Sequence, residues 1–219
     1  MSLIDNAKSI LQSSLNVKQG ESVLVVTDDT RRAIGRAIYD AAVELGCDAM
    51  LMRMQERTVS GEEPPASVAA AMKAADVVIC PTAKSLTHTN ARIDAAKAGA
   101  RIATMPGITE DMFSKGAITA DYAEVERLTM KLNDMLTKAN AARIVKEGCE
   151  LVLKLAGRDG VPSTGVYREP GQSGNLPSGE AYIAPLEDGC DGELIIDGSM
   201  VGVGTVPYTP LTLPTVSPV

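Results

Sequence analysis

Tryptophan is absent from this 219-residue chain, and phenylalanine and histidine occur once each. A single imidazole, His88, excludes a zinc site built from several histidines within one copy of the chain. The shortage of aromatic rings argues against a large apolar side-chain pocket. No C-x-x-C pair joins Cys47, Cys80, Cys149 and Cys190, so the four read as packed, reduced thiols. No apolar run approaches the roughly 18 residues of a membrane span. The opening MSLIDNAKSILQSSLNVKQGE has the pattern of an amphipathic helix with internal charges, unlike a signal peptide. A cytoplasmic protein with no membrane partner is the expectation. With 21 basic against 28 acidic residues the net charge is -7, which repels phosphate backbones and makes nucleic acid an unexpected partner. Neither G-x-x-x-x-G-K-[ST] nor a G-x-G-x-x-G after the first strand occurs, which disfavours a nucleotide-binding enzyme.

What is present is regular alternation. SVLVVTD (Ser22 to Asp28) is β-branched and precedes RRAIGRAIYDAAVELG, where Ile34, Ala37, Ile38, Ala41, Ala42 and Leu45 recur at helical spacing before Gly46. AMLMRM, DVVICPT and RIATMPG repeat the apolar-strand pattern. EEPPASVAAAMKAA and THTNARIDAAKAGA supply the intervening helices. Four such runs separated by helices predict a parallel four-stranded sheet with helices on both faces, because parallel neighbours need long crossovers. In such sheets ligands bind beyond the carboxyl ends of the strands, which here carry TDDT, QERTVSG, PTAKSLTHT and TMPGIT.

The longest helical pattern, YAEVERLTMKLNDMLTKANAARIVKEG, sets Val125, Leu128, Leu132, Met135 and Leu136 in an apolar stripe and reads as a connector. Beyond it alanines vanish, and Gly, Pro and Ser gather in GRDGVPSTGVYREPGQSGN. The expected organisation is an α/β domain over 1–140, the start of a smaller β-rich (α+β) domain over 141–204, and an atypical Pro/Thr-rich tail over 205–219. After Asp197 no charged residue occurs, and Pro207, Pro210, Pro214 and Pro218 interrupt any regular element. That tail reads as a disordered segment, an edge-strand extension, or the product of a truncated or shifted reading frame.

Candidate chemistry sits at the strand ends. Thr87, Thr89 and Asn90 cap a helix whose first-turn N–H groups, with Arg92, could receive an anion, and capping alone is the competing reading. Asp28 could line the same crevice or cap the following helix. His88 is assigned no catalytic role. In GNLPSGEAYIAP, Pro177 and Gly179 fix a turn ahead of Glu180, which would hold that carboxylate on a rigid element as a metal ligand or general base needs.

Three stretches, SLTHTNARIDAAKAGARIATMPGITEDMF, GNLPSGEAYIAP and GELIIDGSMVGVG, together resemble the aminopeptidase T and aminopeptidase S family of bacterial and archaeal metallo-aminopeptidases, often called leucyl aminopeptidases. The likeness runs from about Asn16 to Gly204. It implies a cytoplasmic homodimeric hydrolase, a metalloprotease with two divalent metal ions, zinc or cobalt, acting on peptide substrates. It also implies that Glu180, in N-x-P-x-x-E, is a metal ligand. The family's other ligands and catalytic groups would fall beyond residue 219, so the chain as written is expected to hold an incomplete site and to be inactive alone. The same family resembles an iron-dependent ring-cleaving dioxygenase of pyridine catabolism, which is the alternative enzyme. A non-catalytic domain for dimerisation or small-anion binding is the alternative outside catalysis.

Overall fold

The structure, a computed structural model, describes residues 2–200, 204–205 and 209–212, with side chains described up to Gly198. Its first helix, α1 (Leu3–Ser13), starts on a capping box in which Ser2 and Asp5 satisfy each other's backbone N–H groups. There follow β1 (Ser22–Asp28), α2 (Arg32–Glu44), β2 (Asp48–Met54), α3 (Ala66–Ala74), β3 (Val77–Thr82), α4 (Asn90–Lys97), β4 (Arg101–Pro106), α5 (Glu110–Ser114) and α6 (Tyr122–Lys138). The rest is strand: β5 (Ala141–Lys146), β6 (Cys149–Lys154), β7 (Val161–Ser163), β8 (Ser173–Asn175), β9 (Glu180–Tyr182), β10 (Cys190–Ile196), β11 (Ser199–Met200), β12 (Gly204–Thr205) and β13 (Thr209–Thr212).

The expected α/β fold is present, with one more strand than the sequence indicates. A five-stranded sheet runs β2-β1-β3-β4-β8, every neighbouring pair parallel. Strands β1, β3 and β4 are covered on both faces, which is why they read as nearly continuous apolar runs. Alternate residues sort into two cores. Val23, Val25, Val77, Ile79, Ala103 and Met105 meet Ile10, Leu11, Ile34, Ile38 and Phe113 of α1, α2 and α5. Leu24, Val26, Val78, Cys80 and Ile102 meet Val68 and Met72 of α3 and Ala91 and Ala95 of α4. Strand β2 is an edge, and Met50 and Leu51 of its apolar run are exposed.

The fifth strand, β8, pairs Ser173, Gly174 and Asn175 with Ile102, Ala103 and Thr104. It comes from beyond residue 140, so the compact units are not contiguous in sequence. One comprises residues 1–128 and 163–180, the other 129–162 and 181–219, and the division falls within α6. The second unit carries an antiparallel sheet, β13-β10-β6-β5. Two-stranded pairs β11-β12 and β7-β9 complete the strands described. Of the tail over 205–219, residues 209–212 form an edge strand on β10, and 206–208 and 213–219 lie outside the described residues. No helix among the described residues is long and apolar enough to cross a membrane.

Candidate functional site

The sheet reverses its winding between β1 and β3, so their carboxyl ends flank the switch point where a ligand crevice is expected in this architecture. Asp28 ends β1 there, 1% exposed. Its Oδ1 accepts from the Thr30 N–H at 3.0 Å and the Thr30 hydroxyl at 2.6 Å, and its Oδ2 accepts from the Ala83 N–H at 2.6 Å. The carboxylate thus caps the turn into α2 and pins the loop after β3.

The loop after β3 instead builds a polar cluster against β4 and β8. Thr87 Oγ1, Thr104 Oγ1 and Asn175 Oδ1 form a triangle with each pair 2.8 Å apart. The Ser85 hydroxyl donates to Thr87 Oγ1 at 2.9 Å. Arg92, one turn into α4, donates from Nε to the Thr87 carbonyl at 2.7 Å and from Nη1 to Ser173 Oγ at 2.8 Å. Ser173 and Asn175 share a face of β8 because they are two residues apart. The Asn175 amide nitrogen and Arg92 Nη2 have no partner among the described residues, which leaves two donors beside a set of hydroxyls.

Thr89 is fully buried as the cap of α4, accepting from the Arg92 N–H at 3.3 Å and donating to the Leu86 carbonyl at 2.8 Å. The neighbouring N–H groups of Asn90 and Ala91 donate to Glu63 at 2.5 and 3.1 Å. An anion does occupy this helix start, and it is the chain's own carboxylate. His88 is exposed.

Behind β8 the opposite face is aromatic. The Tyr167 hydroxyl donates to the Asn175 carbonyl at 2.6 Å and lies against the Cα of Gly174, where a Cβ would meet Tyr167 Cζ at 2.8 Å. Burial, with Glu180 among the lesser causes, pushes the Tyr167 phenol up to about 12. Leu176 follows, fully buried, its N–H extending the ladder to the Thr104 carbonyl at 2.9 Å. A cis Leu176–Pro177 bond and the Ser163–Ser178 hydroxyl pair at 2.7 Å then lead to Glu180.

Glu180 is exposed at the start of β9, and no hydrogen bond joins it to the cluster. Among the described residues no group of three or more His, Cys, Asp or Glu side chains converges to hold a metal ion. The structure therefore brings Thr87, Thr89 and Arg92 together, engages Asp28 elsewhere and leaves Glu180 apart. Ser85, Thr104, Ser173 and Asn175 were not singled out by the sequence. Thr104 carried a signal as a polar residue inside the apolar RIATM, and Asn175 as part of GNLPSGE.

A separate open cavity of about 750 Å³ lies beside the start of α2, lined by Thr27, Thr30, Arg32, Arg36, Arg53 and Glu110 among others. Two of its arginines are already paired, Arg36 with Asp40 and Arg53 with Asp29.

The family described as NicX, 2,5-dihydroxypyridine 5,6-dioxygenase, matches residues 2–208. No curated protein matches the sequence. Among solved structures, 2,5-dihydroxypyridine dioxygenase from Pseudomonas putida KT2440 is similar with a TM-score of 0.71 at 20% identity, covering 88% of this chain and 58% of that one. AmpT from Thermus thermophilus is similar with a TM-score of 0.60 at 16% identity, covering 90% and 64%. The chain thus spans about three fifths of the length of these neighbours. At such identities the structures establish the shared fold. The family match overturns the expectation of a hydrolase, an aminopeptidase and metalloprotease, and withdraws support from zinc or cobalt as the metal. The likeness to aminopeptidases is a distant one.

Proposed function

The chain belongs to the 2,5-dihydroxypyridine 5,6-dioxygenase family, and from that premise we propose that it serves oxygen-dependent opening of a hydroxylated pyridine ring, its polar cluster at the ends of β4 and β8 binding and orienting the ring. The family match over residues 2–208 carries this reading. In such a reaction both atoms of O2 enter the substrate as the bond between ring carbons 5 and 6 breaks, so neither water nor an external reductant is consumed.

The cluster's chemistry supports the assignment. A dihydroxypyridine offers two exocyclic oxygens that accept or, as hydroxyls, donate, and a ring nitrogen that accepts or, in the pyridone tautomer, donates. The Asn175 amide and the Arg92 guanidinium supply donors, and the Ser173 hydroxyl, which accepts from Arg92, keeps its own proton to donate. Arg92 is held at two points, which fixes its planar fork for an oxygen ligand.

A ring-cleaving enzyme of this family brings iron as its metal. The described residues do not fit that ion, since no three-ligand group forms among them and Glu180 stands exposed. The contribution proposed for this chain is substrate binding.

Calorimetric titration of the purified chain with 2,5-dihydroxypyridine tests the reading. Saturable binding is expected, weakened about tenfold by Thr87→Val or Asn175→Ala, with no binding of a leucyl peptide. Absence of saturable ring binding, or binding indifferent to both substitutions, would overturn it.

A further inference from the structure

The cavity beside the start of α2 carries two charges that nothing in its lining neutralises. It lies at the carboxyl ends of β1 and β2, where Thr27 and Arg53 are register partners and where ligands gather in parallel sheets. Its volume of about 750 Å³ is that of a small-molecule site. Three guanidiniums line it, from Arg32, Arg36 and Arg53, with two carboxylates, from Asp29 and Glu110. Arg53 is paired with Asp29, and Arg36 with Asp40 one turn along its own helix. Among the described residues, Arg32 and Glu110 form no ion pair with any side chain, nor with each other. One positive and one negative charge therefore stay open in a single cavity, held on two elements, α2 and α5.

That balance selects the ligand. A phosphate or a plain carboxylate satisfies Arg32 and is repelled by Glu110, and a simple amine meets the reverse. A zwitterion satisfies both. Its carboxylate has more than Arg32 to bind, since Arg36 engages Asp40 through Nε alone and keeps both terminal nitrogens free among the described residues. A planar guanidinium fork matches the two oxygens of a carboxylate. The N-terminus of α2, where the cap residue Arg31 makes no side-chain cap bond, adds partial positive charge on the same side. Glu110 receives the ammonium. Ala33 and Leu51 supply the apolar part of the lining, and an aliphatic side chain laid on them removes apolar surface from water.

From the two unneutralised charges and the apolar lining we infer that the α2 cavity binds a small zwitterion with an aliphatic side chain, an amino acid such as L-valine, its carboxylate at Arg32 and Arg36 and its ammonium at Glu110. The inference stands independently of the ring-binding reading, whose cluster sits at the ends of β4 and β8. All the residues it uses belong to one compact unit. Arg32 and Glu110 are exposed, so solvent screens their charges and the binding is weak.

Amide NMR titration of the isotope-labelled full chain with L-valine tests it. Saturable shifts are expected over residues 27–36 and around Glu110, and none at Thr87 or Asn175. Two fragments of the probe read the two charges separately. 3-Methylbutanoate lacks the ammonium and 2-methylpropylamine lacks the carboxylate, and each binds at least about tenfold more weakly than L-valine. Arg32→Gln weakens L-valine about tenfold without weakening the amine, and Glu110→Gln weakens L-valine about tenfold without weakening the acid. Both side chains are exposed, so both variants keep the wild-type circular dichroism spectrum. Absence of saturable shifts at the cavity, binding of 3-methylbutanoate or inorganic phosphate as tight as that of L-valine, or L-valine binding indifferent to both substitutions overturns the inference.

Discussion

The Asp28 carboxylate and the Ala83 N–H, 55 residues apart in sequence, meet at 2.6 Å across the switch point of the sheet. That contact ties the end of β1 to the loop after β3. With the Asp28 carboxylate engaged by Thr30 and Ala83, the polar cluster of Thr87, Thr104 and Asn175 lies further along the sheet, at β4 and β8.

Removing that tie destabilises the fold. Asp28→Ala leaves the part-buried Ala83 and Thr30 N–H groups without their carboxylate acceptor, at a cost of about 2 kcal/mol. Urea denaturation measures it, and a loss below about 1 kcal/mol would contradict the structural role given to Asp28.

Gly174 and Tyr167 form a matched pair. An added Cβ at 174 would collide with the phenol ring, so Gly174→Ala destabilises by about 2 kcal/mol. Tyr167→Phe alone loses the hydrogen bond to the Asn175 carbonyl and relieves part of the clash in the double variant. A double-mutant cycle reads this as a non-additive coupling, and strict additivity would contradict it.

Cys80 is fully buried, and desolvation pushes its thiol to about 12. It stays neutral and unreactive at pH 8, where reactive cysteines need thiolate. Mass spectrometry after brief exposure of the native chain to a thiol reagent is expected to find Cys80 unlabelled and to find it labelled only after denaturation.

Asp76 governs part of the acid limb. Hydrogen bonds from the Ser22 N–H at 2.9 Å and hydroxyl at 2.8 Å hold its carboxyl below the usual 3.8. The folded group therefore binds its proton less readily than the unfolded one. Its contribution is complete above about pH 3.8 and is lost as pH falls through the lower folded value. The stability difference between wild type and Asp76→Asn is expected to shrink in that window, and a difference constant from pH 6 down to 2.5 would contradict the assignment.

Much of the fold was legible because the strands β1, β3 and β4 are buried on both sides and separated by helices of clear periodicity. Ser173–Asn175 was not, because Gly and Asn disfavour strands and only pairing with β4 makes them one. Around the start of α4, Thr87, Thr89 and Arg92 carry a capping signature in the sequence. Asn175 was overlooked, since its partners Thr87 and Thr104 lie 88 and 71 residues away. Glu180 drew notice through its turn, and the turn delivers it to an exposed strand end.

The most direct test of the account is a backbone amide NMR titration of the isotope-labelled chain with 2,5-dihydroxypyridine. The account predicts saturable shifts centred on Thr87, Arg92, Thr104, Ser173 and Asn175, with the resonances around Glu180 and the α2 cavity unmoved. Shifts that leave this cluster untouched, or that gather at Glu180 on addition of a leucyl peptide, would contradict it.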